Sequence, residues 1–537
     1  MCHKKGVYAG LFGQTNFKHN LTIRSVNCYN ANLLIVGVAT FNFCINRSFE
    51  VDLPNSVKEI GSYAFAGSKI VNFSFPTSLE TISNHAFSGC SDLGWTSTIP
   101  DGVTEITSGA FQDCDELQVH ISNLVRPHIK KIEDHAFSGC INLKGSIQLE
   151  EITHIEYNAF YNCSSLSGNL ALPNTLIHLG NSAFDSCTGL TGDLVLPNSL
   201  TYLGHSAFDS CTGLNGNITL SENLNTIYSS TFARCTNITG DITIPDKITT
   251  IESFAFVDCN NLNGTLTLPD GLKTIGNSAF QNTNFSGELR IPNQVSTIGK
   301  SAFEGCQNFA PGSFIPTNLY MISEDCFKNS KAYRQNLNIP EKIDFIDYSA
   351  FKAYSTEDFR EIKSITLPKN FYEISELSFR GSTKKLKRVT IFAETPPIVK
   401  KWVDKPFNRL RRKTPDEIIV FDDVVYDNTT LYVPKGFVDV YRAAPLWSRF
   451  TKIQEIIPTT VDQSSITKPY QVITSRHGIR IIDPSKIKEI RFYDTQGRLI
   501  HIENGNSEFI TTQAYQNQIV LVKIVCKDQT VYTEKLI

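Results

Sequence analysis

Nine of the fourteen cysteines hold one position in a recurring segment, three residues after a phenylalanine. Thiolates can bind zinc, but a zinc site needs clustered ligands at short spacing, and the chain contains no C-x-x-C. Because Thr283 and Ser330 hold this position in other copies, we expect small buried thiols that pack as hydrophobic groups. Disulfides between neighbouring copies are the alternative. The nine are Cys90, Cys114, Cys140, Cys163, Cys187, Cys211, Cys235, Cys259 and Cys306.

Asp185 and Asp209 are a second candidate for chemistry, because they hold one position in adjacent copies. Two close carboxylates could bind a cation or act as general acid and base. The repeat itself creates this pair, so we interpret it as a solvated ladder. His85 and His135 hold a position that is Ser in many copies, and we interpret them as variable repeat positions.

The sequence contains none of the common catalytic motifs. G-x-S-x-G, a phosphate-binding loop, H-E-x-x-H and a dinucleotide fingerprint are all missing from it. We therefore predict that the protein is not an enzyme, and that it has no catalytic residue, metal site or cofactor.

A 24-residue repeat must position all of these side chains. Its phenylalanines recur at this spacing in the middle of the chain, and the spacing drifts toward both ends. A fixed period between about 20 and 50 residues is typical of a solenoid, whose stacked units share one core. The fourteen repeat phenylalanines are Phe65, Phe87, Phe111, Phe137, Phe160, Phe184, Phe208, Phe232, Phe256, Phe280, Phe303, Phe327, Phe351 and Phe379.

One unit alternates like a strand around Leu194 and Leu196, which share a face, while Asp193 and Val195 share the other. Leu200 and Leu203 then follow in a second extended piece, and Ala-Phe and Cys bring the chain back across the core. The predicted fold is mainly β with short irregular or helical turns. It is a solenoid of about 14 repeats, followed by a small C-terminal β-sandwich.

The repeat resembles a known family. Its pattern, L-P-x-x-[LV]-x-x-[IL]-G-x-x-A-F-x-x-C-x-x-L, is similar to the leucine-rich repeat of BspA-like surface proteins from Bacteroides-type bacteria, over about Val51 to Ile457. It departs from the commoner L-x-x-L-x-L-x-x-[NC]-x-L repeat, because Ser199 stands where that repeat has its ladder Asn. The resemblance implies an extended, surface-exposed binding protein, since members of the family include adhesins.

The outward positions of the predicted strands form two stripes of small polar residues. Solenoids use extended faces of this kind for binding, although the stripes contain no aromatic side chain, and plain solvent exposure is the alternative. The predicted binding face comprises Asn169, Asp193, Val195, Asn217, Thr219, Asp241, Thr243, Thr265, Thr267, Glu288 and Arg290.

Composition narrows the classes of partner. A formal net charge of −3 and a pI of about 6.4 do not favour nucleic acid or an anionic membrane as a main partner. No run of 18 apolar residues occurs, so we predict no transmembrane helix. The expected partner is a protein or glycan on a host or bacterial surface. The oligomeric state is not predicted.

Five segments are predicted along the chain. They are an N-terminal cap (1–50), the solenoid (51–398), its C-terminal cap (399–457), a polar linker (458–469) and a small β domain (470–537). The apolar run from Leu33 to Ala39 predicts a buried strand of the first cap; a secretory signal is the alternative, but it would begin nearer the start. Aromatic residues of the second cap are expected to cover the last core layer: Tyr432, Tyr441, Trp447 and Phe450.

The last segment resembles the C-terminal sorting domain of type IX secretion cargo. The shared pattern is [IV]-x-[FV]-Y-D-x-x-G-[RK]-x-[IL], from Ile490 to Ile500, together with the final Lys535-Leu536-Ile537. The chain departs from the family where Asn517-Gln518 replaces the usual Gly-x-Tyr. An ordinary β-sandwich without a sorting role is the alternative.

These observations predict a secreted or surface-exposed, adhesin-like protein that binds matrix proteins, cells or glycans. It is expected outside the cell or at the outer membrane, and no signal peptide is visible in the chain. The alternative function is a structural spacer or scaffold that is displayed through the C-terminal domain.

Overall fold

The computed structural model divides the chain into two compact units, Met1–Ile456 and Ile457–Ile537. The predicted linker (458–469) lies outside the residues that the structure describes, and the predicted limits of the five segments stay predictions. The described residues are 25–27, 33–43, 48–93, 98–117, 119–147, 149–333, 335–354, 362–401, 418–457, 471–475, 478–482, 487–493, 499–504, 509–511, 520–526 and 531–536.

The first unit is the predicted solenoid, and each regular turn contains two short strands. The first, which we call the A strand, alternates as expected: Leu194 and Leu196 are buried, whereas Asp193 and Val195 are exposed. Neighbouring A strands pair in parallel, in sheets of two to five strands. The A strands are Ser25–Asn27, Phe49–Asp52, Ile70–Val71, Leu194–Val195, Ile218–Thr219, Ile242–Thr243, Leu266–Thr267, Glu288–Arg290, Ala310–Phe314, Gln335–Asn338, Ile362–Leu367, Arg388–Ile391, Thr430–Val433 and Lys452–Glu455, with a further pair at Gly168–Asn169 and Leu190–Thr191.

The second strand of each turn, the B strand, buries its second residue and turns its first residue outward. Leu179 and Leu203 are buried, for example, while His178 and Tyr202 are partly exposed. Neighbouring B strands also pair in parallel. They are Ile35–Val36, Glu59–Ile60, Thr81–Ile82, Glu105–Ile106, Lys131–Ile132, His154–Ile155, His178–Leu179, Tyr202–Leu203, Thr226–Ile227, Thr250–Ile251, Thr274–Ile275, Thr297–Ile298, Met321–Ile322, Phe345–Ile346, Glu373–Ser375 and Ile398–Lys400.

The repeat phenylalanines stack into one continuous ladder through the core. Successive ring centroids lie 5.1 to 5.9 Å apart, with interplanar angles of 18° or less. Within the described residues the ladder has sixteen rings, since Phe41 and Phe421 extend the fourteen that the spacing predicted. The solenoid therefore has about sixteen turns.

Most turns around the ladder contain two left-handed residues, placed two positions before and two positions after the ring. Ser182 (φ 51°) and Ser186 (φ 62°) flank Phe184 in this way. Left-handed backbone favours Gly, Asn, Asp and other small polar residues, which explains the many Ser, Asn and Gly residues of the pattern. His85 and His135 hold the first of these positions, with φ of 55° and 56°.

The run from Leu33 to Ala39 is not the buried strand that we expected. Its strand, Ile35–Val36, pairs in parallel with Glu59–Ile60 as an ordinary B strand. Only one of its two residues, Val36, faces the core, while Ile35 and Val38 are exposed. The strand belongs to the repeat, so its outward residues are not covered by a further layer.

At the far end, aromatic side chains cover the last ring of the ladder. The Trp447 and Phe450 rings lie 6.3 and 6.0 Å from Phe421, and the Tyr441 hydroxyl and the Trp447 indole donate to backbone carbonyls. Tyr432 does not belong to this cover, because its ring lies on the A-strand surface, 4.0 Å from the Arg388 guanidinium. The helices at this end are Val424–Asn428 and Val438–Ala443, with a 3-10 turn at Trp447–Arg449, and a further 3-10 turn lies much earlier in the solenoid, at Ile121–Asn123. No helix within the described ranges is long and apolar enough to cross a membrane.

The second unit is entirely antiparallel in its described part. It forms one three-stranded and one four-stranded sheet. The packing of these sheets as a sandwich and their role in sorting stay predictions, and the predicted hairpin turn at 494–498 lies outside the described residues. The strands are Gln471–Ser475, Gly478–Ile482, Ile487–Tyr493, Leu499–Asn504, Phe509–Thr511, Val520–Cys526 and Val531–Leu536.

Candidate functional site

The repeat thiols are buried and free, as the hydrophobic interpretation predicted, but they also act as hydrogen-bond donors. Each of the nine Sγ atoms donates to the carbonyl oxygen of the phenylalanine one turn earlier, at 3.0 or 3.1 Å. Burial raises the pKa of each thiol, to about 12 for Cys235 and Cys306. Such thiols are poor nucleophiles, since the thiolate is the reactive species.

The Asp185 and Asp209 pair is not the solvated ladder that we expected. Asp209 is buried, and its carboxylate lies 2.6 Å from the Arg234 guanidinium, one turn later. Burial raises the pKa of Asp209 to about 6; Arg234 opposes this shift and Asp185 adds to it. Within the described residues, no group of three or more His, Cys, Asp or Glu side chains is placed to hold a metal ion.

All eleven residues of the predicted binding face are exposed. They lie on or beside consecutive A-strand positions, where Leu194–Val195 pairs with Ile218–Thr219 and Ile242–Thr243 pairs with Leu266–Thr267. The structure thus brings these side chains onto one surface. Their role in binding stays a prediction.

Several charged residues of this face support the backbone. The Asp193 carboxylate accepts the Asn217 backbone N–H at 2.7 Å. Asp241 accepts both the backbone N–H and the hydroxyl of Thr265, at 2.6 and 2.8 Å, and these bonds lower the pKa of Asp241. Substitution of these two carboxylates would disturb the fold as well as any contact, so the threonines and Val195 are the better positions for testing contact with a partner.

A second surface, along the B strands, carries the aromatic side chains that the predicted face lacks. The His154 and His178 rings stack at 5.9 Å, and the His178 and Tyr202 rings stack at 4.6 Å. Tyr228 continues the row, 5.4 Å from Tyr202 and 4.8 Å from His205. All five side chains are partly exposed, and we call them the aromatic strip.

Carboxylates lie beside both ends of the aromatic strip. The Glu156 carboxylate lies 3.3 Å from His178 Nε2 and 3.7 Å from the Lys131 ammonium. The Glu252 carboxylate lies 3.6 Å from His205 Nδ1. Burial lowers the pKa of His178, while Glu156 opposes this shift. Imidazoles, phenols and carboxylates converge here, which gives this surface more varied chemistry than the predicted face.

The B strands also expose apolar residues near the C-terminal end of the solenoid. Met321 and Phe345 are outward residues of two paired B strands, and Ile398 lies two strands beyond Phe345, with Glu373 between them. Tyr320 precedes the Met321 strand and Tyr372 precedes the Glu373 strand, and they are 64% and 62% exposed. The B surface therefore has two regions in which large side chains reach solvent.

Sequence reasoning missed both regions because it considered the outward side of the A strands alone. The signal was available, since His154, His178 and Tyr202 each stand six residues before a repeat phenylalanine. Reading that position down successive copies would have placed the three rings in one column.

The solenoid and its exposed surfaces define the class of the protein: a parallel β-solenoid of leucine-rich repeats that can present a long surface to a partner. The family model described as BspA type leucine rich repeat region matches residues 11–144, 120–239, 239–357 and 287–403. These matches together extend from residue 11 to residue 403, and the chain belongs to this family. A comparison with curated proteins found no significant match.

Three solved structures illustrate the similarity. The chain is 20% identical to a leucine-rich repeat protein from Bacteroides ovatus, covering 81% of this chain and 92% of that one, with a TM-score of 0.39. It is 22% identical to a leucine rich cell surface protein from Faecalibacterium prausnitzii (60% and 87% covered, TM-score 0.37). It is 27% identical to a leucine rich repeat protein from T. pallidum (36% and 81% covered, TM-score 0.27).

Proposed function

We propose that this protein is a secreted or surface-displayed, adhesin-like binding protein without enzymatic activity. Its outer surface binds matrix proteins, other cells or glycans. The observation that carries the proposal is the exposure of all eleven predicted residues along successive A strands, within a chain of the BspA type repeat family. The resulting face extends over consecutive turns, as binding faces of solenoids do.

Binding through this face rests on many weak contacts. Thr219, Thr243 and Thr267 repeat one small polar group at every turn, and a repetitive partner could engage several copies together. Linked contacts of this kind raise the overall affinity far above that of each one.

The first test is to incubate the purified full chain with arrays of matrix proteins and glycans and with whole cells. Saturable binding to one class of target is expected. A triple variant with Thr219→Lys, Thr243→Lys and Thr267→Lys should lose most of that binding, because it places three bulky charges on the face. A blank result with folded protein on all three kinds of target would contradict the proposal.

A matched control makes the same change elsewhere on the solenoid. Thr188→Lys, Thr212→Lys and Thr236→Lys introduce three lysines one turn apart, just after the repeat cysteines, at positions that are at least partly exposed. This variant should bind as the parent does. Equal losses in both triple variants would show that added charge, and not the A face, is responsible.

The second function that we propose is a non-catalytic spacer displayed through the C-terminal unit. It is supported by the separate compactness of residues 457–537. Removal of this unit should abolish surface display when the chain is expressed in its native cell, as measured by antibody labelling of intact cells. Unchanged display would contradict a role in attachment.

A further inference from the structure

Two buried glycines lie beside the aromatic strip in the B surface. Gly180 and Gly204 hold equivalent positions in consecutive turns, and Glu156 and Tyr228 hold that position in the turns before and after them. A Cβ at either glycine would lie 2.4 to 2.5 Å from backbone atoms of the preceding turn, so close packing of the turns requires glycine here.

Polar groups border the aromatic strip. The Tyr202 hydroxyl donates to the Asn181 side-chain oxygen at 3.1 Å, and the same oxygen accepts the His205 backbone N–H at 2.9 Å. At the far end, the Glu252 carboxylate accepts the Ser229 backbone N–H at 3.0 Å. A ligand on the strip would meet aromatic rings and carboxylate oxygens.

The charge of this region is negative when its histidines are neutral. The five B strands from His154–Ile155 to Thr250–Ile251, with the three residues after each, contain no Lys or Arg. These segments hold two carboxylates, Glu156 and Glu252, and so carry a net charge of −2. The flanking turns add two carboxylates (Glu133 and Asp134) and three lysines (Lys130, Lys131 and Lys273). Such a surface favours a cationic ligand.

We propose that the aromatic strip and the carboxylates beside it form a docking site for a Lys- and Arg-rich segment of a partner protein. Lys and Arg carry long apolar stems that pack on aromatic residues, and their charged heads pair with carboxylates. This inference rests on the proposed binding function and adds the site and the chemistry of the partner.

The test uses the full chain and fluorescently labelled synthetic peptides composed of Arg, Lys, Gly and Ser. A peptide of the same length with Gln in place of every cation serves as the neutral probe. Anisotropy titrations at low and at moderate salt should show binding of the basic peptide that added salt weakens. Equal binding of the neutral probe, or binding of the basic peptide that salt leaves unchanged, would overturn the proposal.

Variants locate the site. Glu156→Gln combined with Glu252→Gln keeps the shape of both side chains and should weaken binding of the basic peptide by about fivefold or more. The matched control combines Glu222→Gln with Asp246→Asn, which removes two exposed carboxylates from a different edge of nearby turns. The control should bind normally. Equal affinities for both double variants would overturn the proposed location.

The outcome of the peptide test is independent of the proposed adhesin-like function. If arrays of matrix proteins, glycans or cells are bound while the basic peptide is not, the docking site is wrong and the binding function stands. If the basic peptide binds at the strip while all arrays are blank, the adhesin-like function is wrong and the docking site stands. Binding of a neutral glycan that Glu156→Gln and Glu252→Gln together abolish would also refute a cationic partner.

Discussion

The thiol of Cys211 donates a hydrogen bond, 3.0 Å long, to the backbone carbonyl oxygen of Phe184 in the preceding turn. The backbone N–H of Cys187 donates to that same oxygen. Each phenylalanine carbonyl in the regular turns thus joins its own turn to the next. Cysteine suits this position because its thiol is small, apolar and still able to donate.

Cys211→Ala is expected to lower the free energy of unfolding by about 1 to 2 kcal/mol, through a lost hydrogen bond and a small cavity. The Phe184 carbonyl keeps its bond from Cys187, so the loss should stay modest. Urea denaturation followed by circular dichroism measures it. Thr188→Ala, at an exposed neighbouring turn position, is the control. An equal loss in both variants would rule out a special role for the thiol.

The ring ladder should be most sensitive at its centre. Phe208 is fully buried between Phe184 and Phe232, at 5.6 and 5.9 Å, and Phe208→Ala should cost about 3 to 5 kcal/mol. Phe41, at the first described position of the ladder, stacks on Phe65 at 5.1 Å and is 6% exposed. Phe41→Ala should cost less, because the N-terminal turn contributes fewer interfaces between turns. Urea midpoints of the two variants give the comparison, and the reverse order would contradict it.

Much of this ladder could be predicted from the sequence, since a 24-residue spacing of Ala-Phe is visible without a structure. Phe41 fits the same spacing, since it stands 24 residues before Phe65, although it follows Thr40 and not Ala, and it could have been included. Phe421 could not be predicted, because it comes 42 residues after Phe379, across a long insertion. Stacking on Phe379, which no local pattern encodes, places Phe421 in the core.

The candidate surfaces show the same limit. Exposure of the A-strand residues followed from strand alternation alone. Burial of Asp209 could not be predicted in this way, because it depends on Arg234 from the following turn. The aromatic strip was hidden for a related reason: successive copies of its position hold His154, His178, Tyr202 and then Thr226, and these become one surface only when the turns are stacked.

Close packing of the turns beneath the strip predicts that Gly204→Ala is destabilising. The added Cβ would lie 2.4 Å from the Asn181 backbone nitrogen, and relief of such overpacking costs about 1 to 3 kcal/mol. Gly271→Ala is the matched control, because the nearest atom to its added Cβ is 3.7 Å away, and it should be neutral or slightly stabilising. Thermal unfolding of both variants measures the difference. A Gly204→Ala variant as stable as the control would contradict the steric argument.

Asp209 should make the solenoid less stable as the pH rises from about 4 to about 7. Burial holds the pKa of Asp209 at about 6, above the usual value of about 3.9 in an unfolded chain. Folding therefore favours the protonated carboxyl, whose contribution is fully present below about pH 4 and is lost as the pH rises through about 6. Asp209→Asn cannot ionise, so between about pH 5 and about pH 7 its Tm should fall less than that of the parent.

Asp241 provides a control of opposite sign for this measurement. Hydrogen bonds from Thr265 lower the pKa of Asp241, so its contribution is present above the unfolded-state pKa and is lost as the pH falls. Asp241→Asn should therefore lower the Tm at neutral pH, and this effect should disappear in acid. Asp209→Asn should have the opposite effect: it should raise the Tm relative to the parent, and most strongly at neutral pH. Calorimetric scans of both variants and the parent across this range test the pair. Parallel pH profiles for all three proteins would refute the assignment of the shifts to these two carboxylates.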